Sequence, residues 1–144
     1  MTAAELVSAY LAALERADAE AVLRLFTPNA VVHSPLYGPK SAAEFYPDLF
    51  ADTSRPHLTL LGVLEGRNQQ GTLLISFWFH FDWLLPSGVA APFDVVDLAE
   101  LSQDGRIAEL RIVYDTVNVR PVFEGETGTS WRASTDANGR DAGR

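Results

Sequence analysis

Asp97 is the residue whose surroundings call for a chemical explanation. It stands in the run Val95-Val96-Asp97-Leu98-Ala99, otherwise bound for a core, where an unpaired carboxyl is costly. Apolar neighbours disfavour its charged form and raise its pKa. A carboxyl kept neutral in this way can donate a hydrogen bond to a ligand oxygen, whereas one at a sheet rim or subunit interface would pair with an arginine. Tyr10 falls in the middle of the apolar stripe of the first helix, so its hydroxyl either enters a cavity or finds a backbone partner. His80 and Asp82 alternate with Ser76 and Trp78 along one face of a strand. Imidazole titrates near neutrality, so His80 could serve as a base there, or could belong to an interface. His33, His57 and His80 are not at zinc-ligand spacing, and the chain has no cysteine. Neither a metal nor any other cofactor is expected.

The elements that must position these side chains follow from pattern. Thr2-Ala-Ala-Glu5 has capping-box spacing, and Leu6, Tyr10 and Leu14 recur at intervals of four, which predicts an amphipathic helix over residues 3–16. Asp18 caps a shorter helix, AEAVLRLF, that Pro28 ends. A short strand, residues 30–34, is closed by Pro35. After a loop over residues 35–39, Ser41 and Glu44 open a third helix carrying Phe45, Tyr46, Leu49 and Phe50. Pro47 lies deep enough in that helix to predict a kink or a split. From Leu58 onward the pattern is sheet: residues 58–66, then a long hairpin over residues 72–101 broken at Leu85-Pro86-Ser87-Gly88, then the turn at Asp104-Gly105 and a last strand over residues 106–119. Helices early and strands late give an α+β protein.

Strands of a dozen residues exceed the usual five or six and must bend. A strongly curved sheet with helices across its concave side encloses a cavity. Both faces of residues 73–84 are too apolar for water, so one is expected under the helices and the other against a second subunit, in a homodimer. By period two, Leu110, Ile112 and Tyr114 face the cavity. Residues 1–123 are expected to form one domain, and residues 124–144 a flexible tail that Trp131 could dock.

At 144 residues with a net charge of -8 and 47% apolar residues, the chain suits a single domain around a modest cavity. The acidic field disfavours nucleic acid and anionic membrane, leaving a small apolar, neutral or cationic molecule, or another protein, as the expected partner. The first residues lack the features of a signal peptide and no run is long enough to cross a bilayer, so a cytoplasmic location is expected.

The element order, the tyrosine within Ser8-Ala-Tyr-Leu-Ala-Ala-Leu14, the His33-Ser34-Pro35 at the end of the first strand and the aspartate in the penultimate strand together resemble the cone-shaped superfamily of nuclear transport factor 2. The resemblance covers residues 5–118 and points to its SnoaL-like and ketosteroid isomerase-like branches. It implies a conical pocket behind three N-terminal helices and a curved mixed or antiparallel sheet. It implies that Tyr10 and Asp97, eight residues before Gly105, act as oxyanion donors or general acid, the neutral aspartic acid being a known device of ketosteroid isomerase. The position of the isomerase base, an aspartate before the proline, is here Ser34, and His-Ser-Pro is similar to the His-Asn-Pro of SnoaL-like sequences. The resemblance also implies that the face bearing Trp78, His80 and Asp82 looks inward. The expected lining is then Leu14, Ser34, Phe50, Trp78, His80, Asp82, Val95, Leu110, Ile112 and Tyr114. The function so implied is binding of a small apolar carbonyl compound, with cyclase- or isomerase-like turnover. The alternatives are a non-catalytic module for a hydrophobic ligand or a dimeric interaction module.

Overall fold

A computed structural model describes residues 1–132. Helix α1 (Ala3–Glu15) starts at the anticipated capping box: Thr2 Oγ1 accepts from Glu5 N–H at 3.1 Å, and the Glu5 carboxylate accepts from Thr2 N–H at 2.8 Å. Asp18 caps α2 (Ala19–Leu23), accepting from Ala21 N–H at 3.0 Å. This helix is shorter than expected, because the chain is already extended at Phe26 and strand β1 (Phe26–Ser34) runs through Pro28. Proline is tolerated there because the pairing of β1 slips between Phe26 and Val31, so Pro28 owes no ladder bond. The expected loop over residues 35–39 contains a tight turn and the start of a short strand, β2 (Gly38–Ser41), paired antiparallel to β1.

Helix α3 (Ala42–Ala51) begins at Ser41, whose hydroxyl accepts from Glu44 N–H. The expected split at Pro47 does not occur. Proline removes one bond, to the carbonyl four residues back, and burial of Phe45, Tyr46 and Leu49 holds the turn together. Strands β3 (Arg55–Arg67), β4 (Leu73–Leu84), β5 (Phe93–Leu101) and β6 (Ile107–Val113) form the antiparallel meander. Asp104-Gly105 makes the last hairpin turn, with Gly105 at φ +83°, a conformation glycine adopts without strain. Strand β6 ends earlier than expected. Asp115 Oδ1 accepts from Val117 N–H at 3.0 Å and turns the chain into a fourth helix, α4 (Val119–Thr127), which crosses the point where the tail was expected to begin. The ring of Trp131 packs on Gly38 so closely that a Cβ there would lie 2.7 Å from it. The rest of the expected tail, residues 133–144, lies outside the described residues.

The sheet order is β2-β1-β6-β5-β4-β3, with β1 parallel to β6 and every other pair antiparallel. The sheet is thus mixed and open, curving around α1, α2 and α3. Core packing fills the concave side: Leu6, Val7, Tyr10 and Leu14 of α1 share one buried cluster with Ile75, Phe77 and Phe79 of β4, the Tyr10 and Phe77 ring centres 5.6 Å apart. No helix among the described residues is long and apolar enough to cross a membrane.

Candidate functional site

Register decides which side chains reach the interior. Asp97 lies opposite Phe77 on β4 and Ile112 on β6, and Val95 lies opposite Phe79, so these share the concave face. Asp97, Val95, Phe79 and Ile112 line a cavity of about 40 Å³ together with Tyr10 and Leu14 from α1, Phe45 and Leu49 from α3, and Ser34. Tyr37, Phe81, Trp83, Phe93 and Tyr114 complete its wall, the last two stacked at 4.0 Å between ring centres. By the same measure a water molecule needs roughly 10–15 Å³. As it stands the cavity has room for a few water-sized groups.

Asp97 is 1% exposed, and its Oδ1 has no hydrogen-bond partner among the described residues. Burial pushes its pKa well above the ordinary carboxyl range, and no arginine among the described residues offsets this. Tyr10 is 2% exposed and its hydroxyl is 2.7 Å from that of Tyr46. Burial, then the charge of Asp97, raise the Tyr10 phenol, while the Tyr46 bond lowers it. Burial also raises Tyr46 and Tyr114, and the Asp97 charge adds to both. Burial thus shifts each of these groups toward its protonated form. Ser34 is 6% exposed, and its Oγ accepts from the N–H groups of Leu36 and Tyr37 at 3.1 and 3.2 Å. Those bonds occupy its acceptor side, which leaves the O–H as a donor.

Seven of the expected site residues thus gather around one cavity: Tyr10, Leu14, Ser34, Val95, Asp97, Ile112 and Tyr114. Three belong elsewhere. Trp78, His80 and Asp82 lie on the outer face of the sheet, because β4 turns Ile75, Phe77, Phe79, Phe81 and Trp83 inward. The reason is visible in composition: that face has no polar side chain and its alternate has three, so burying the first desolvates nothing that needs water. On the outside, His80 lies 2.7 Å from Asp94 and 3.0 Å from Asp82, and these bonds raise its pKa. Leu110 faces inward opposite Ala99, one pair deeper than the cavity wall. Phe50 leans on Tyr46 at 6.2 Å, leaving Phe45 and Leu49 to line the cavity. Tyr46 itself was not expected as a site residue, although it directly follows Phe45 on a helix facing Tyr10. The aromatic wall from Phe79 to Trp83 was also missed, and the wholly apolar face of β4 was the signal for it.

Comparison with known proteins places this architecture in the NTF2-like class. An NTF2-like protein of unknown function from Exiguobacterium sp. 255-15 superposes with a TM-score of 0.63 at 17% identity, over 76% of this chain and 98% of its own. SalBIII, an epoxide hydrolase/cyclase-like enzyme with a role in pyran ring formation in the polyether salinomycin, gives 0.65 at 17% identity, over 81% and 92%. A protein from Pseudomonas putida KT2440, provisionally assigned as a polyketide cyclase, gives 0.60 at 21% identity, over 82% and 95%. Such identities establish the fold. The sequence profile of the SnoaL-like domain matches residues 7–110, and the chain belongs to that family. Comparison with curated protein sequences finds no match.

Proposed function

We propose that the protein binds a small, largely apolar molecule with one hydrogen-bond-accepting oxygen, such as a carbonyl, and acts on it by acid catalysis in the manner of a SnoaL-like cyclase or an isomerase-like enzyme. The observation that carries this reading is the Asp97 carboxyl, buried to 1% exposure with an unpartnered Oδ1 at an apolar cavity. A buried polar atom without a partner is rare and costs roughly 1–3 kcal/mol, so its retention points to a ligand atom that completes it.

Neutral Asp97 and Tyr10 act as the two donors. With Tyr46 as donor in the bond between the two hydroxyls, the Tyr10 proton is left for the ligand oxygen. Negative charge developing on that oxygen is stabilised by donors already fixed in an apolar surround, where they are worth more than in water. The cavity wall offers donors and no ionised base, since Ser34 spends its lone pairs on two backbone amides. Proton abstraction from carbon in the usual isomerase manner therefore has no agent among these residues, and acid-assisted ring closure or carbonyl polarisation fits better. The same fact supports the second reading, a module that holds a hydrophobic ligand without turning it over.

The test is titration with 2-naphthol, followed by fluorescence, together with an assay of proton exchange in 2-cyclohexenone. Tyr10→Phe removes one donor and is expected to weaken 2-naphthol binding about tenfold, the value of one buried hydrogen bond of ~1.4 kcal/mol. Binding unchanged in this variant removes Tyr10 from the site. Exchange catalysed by the wild type and lost in Tyr10→Phe supports an enzyme, and binding without any exchange supports the non-catalytic module.

The outer face of the sheet is the proposed dimer surface. Leu64, Val113, Trp78 and Leu61 are 72%, 54%, 48% and 46% exposed there, and all but Val113 border a groove that runs from β3 past Trp78 to Val96 of β5. On the same face His33 lies 2.7 Å from Glu109, and His80 lies beside Asp82 and Asp94. A second copy seated on the apolar groove would bury Trp78 and its neighbours. Trp78→Asp is expected to convert a dimer to a monomer in light scattering while leaving the far-ultraviolet spectrum unchanged; a wild type already monomeric at high micromolar concentration overturns this.

A further inference from the structure

The cavity is roofed. Asp97 and Tyr10 are 1% and 2% exposed, and about 40 Å³ does not admit a six-membered ring. If a ring-bearing ligand binds, part of the wall must move to let it in. Helices α1 and α3 and the strands are poor candidates, because each is held by ladder bonds or by several buried side chains. Helix α4 is held differently.

Three observations set it apart. First, its own helical preference is weak: nine residues containing Pro121 and Gly125, with no side-chain cap from Asn118. A helix of that length and composition does not persist without its packing. Second, its buried side chains are Val119 and Phe123 alone, and Phe123 packs against residues of the cavity wall. Its ring centre is 5.1 Å from Tyr37 and 5.6 Å from Trp83, both of the cavity wall. Third, beyond the helix itself, its side-chain polar ties among the described residues run to turns or to the segment that follows it. The Arg120 guanidinium donates to the carbonyls of Pro35 and, at 2.6 Å, Trp131, and pairs with Glu124 at 3.2 Å. Glu126 accepts from the N–H of Ser87 at 2.8 Å and from the Ser87 hydroxyl. Pro35 lies in the turn between β1 and β2, and Ser87 in the turn between β4 and β5. The helix is flanked by the turn over residues 114–118 and by Gly128 at φ +74°, each a place where the backbone can pivot.

We propose that α4, with residues 128–132, is a lid over the cavity. It swings away about residues 114–118, which frees the Tyr37–Trp83 wall, and it closes when Phe123 returns to that wall and Arg120 re-engages the Pro35 and Trp131 carbonyls. Trp131, seated on Gly38, is the far end of the same strap. Closure shuts water away from Asp97, so the lid sets the rate of ligand entry and keeps the carboxyl neutral during binding. The proposal rests on the reading of the cavity as a ligand site, so its test includes a measurement that needs no ligand.

Because the chain has no cysteine, Ser87→Cys combined with Glu126→Cys places the only two thiols on opposite sides of the latch, and a short bismaleimide can join them. Backbone amide exchange is read first. In the wild type, residues 119–127 are expected to exchange at least a hundredfold faster than residues 75–81 and 95–99, and bridging is expected to slow the former at least tenfold. Arg120→Ala, a second variant that leaves the cavity wall intact, is expected to speed exchange over residues 119–127 several-fold. Exchange over residues 119–127 as slow as in β4 overturns the lid whether or not any ligand binds. Association of 2-naphthol, followed by stopped flow, is then expected to slow at least tenfold on bridging and to quicken in Arg120→Ala. Equal association rates for bridged and unbridged protein also overturn it. If 2-naphthol binds no form while the exchange contrasts hold, the ligand reading fails and the lid stands.

Discussion

Replacing Asp97 with asparagine is expected to abolish most turnover and, at the same time, to make the protein more stable the higher the pH. Burial raises the carboxyl's proton affinity in the folded chain above its value in the unfolded one, an ordinary carboxyl near pH 4. Between that value and the raised one, the folded state holds a proton that the unfolded state has released. Stability therefore falls as pH rises through this window, and the protein is least penalised below it. Asparagine keeps the shape and does not titrate. Urea midpoints measured from pH 4 to pH 9 should slope downward for the wild type and lose that slope in Asp97→Asn. Parallel curves would show that Asp97 meets a cation or water in solution and is not held neutral. A stabilised but inactive variant would mean that this carboxyl is kept for its chemistry against its cost to the fold.

Trp83→Ala carries the largest expected loss of stability. Trp83 is 2% exposed, donates from Nε1 to Thr53 Oγ1 at 2.8 Å, and packs against Phe123 at 5.6 Å and Phe81 at 6.0 Å. Truncating a buried tryptophan costs about 3–5 kcal/mol through lost burial and the space left behind. The Thr53 hydroxyl also donates to the Leu49 carbonyl, so the substitution loosens the junction of α3 with β4. Denaturant unfolding should show the loss, with a loss under 1 kcal/mol indicating that α4 collapses into the gap. Because Trp83 lines the cavity, the variant should also accept a bulkier ring than the wild type, measurable by comparing 2-naphthol with a tricyclic phenol.

The sequence made the element order legible because each element carries a local signal. Thr2 and Ser41 cap helices, Asp18 caps another, and Asp104-Gly105 turns the last hairpin. Boundaries failed where tertiary pairing overrides the local pattern. Phe26 reads as helix by periodicity but is drawn into β1 by its pairing with β6, and residues 114–119 read as strand but bend because Asp115 caps a turn. In the site, Tyr10 and Asp97 were legible as polar groups stranded in apolar runs. His80 and Asp82 were placed inward through a resemblance, against the plain hydrophobic contrast between the two faces of β4, and the contrast decides. Tyr46 was hidden because its partner is 36 positions away and a helix-borne aromatic gives no hint of where its hydroxyl points.

The parallel pairing of β1 with β6 joins the first quarter of the chain to its last third. Hairpins of the meander can form from neighbouring residues, but this pair must wait for the whole chain and must close its longest loop, which makes it a late and slow event in folding. Until then Asp97 is covered on one side only, since Ser34 and the helices preceding the meander arrive with β1. A carboxyl exposed in the half-formed sheet has an ordinary proton affinity, and burial raises that affinity as β1 docks. The rate of refolding should therefore slow as pH rises, because docking favours the protonated carboxyl.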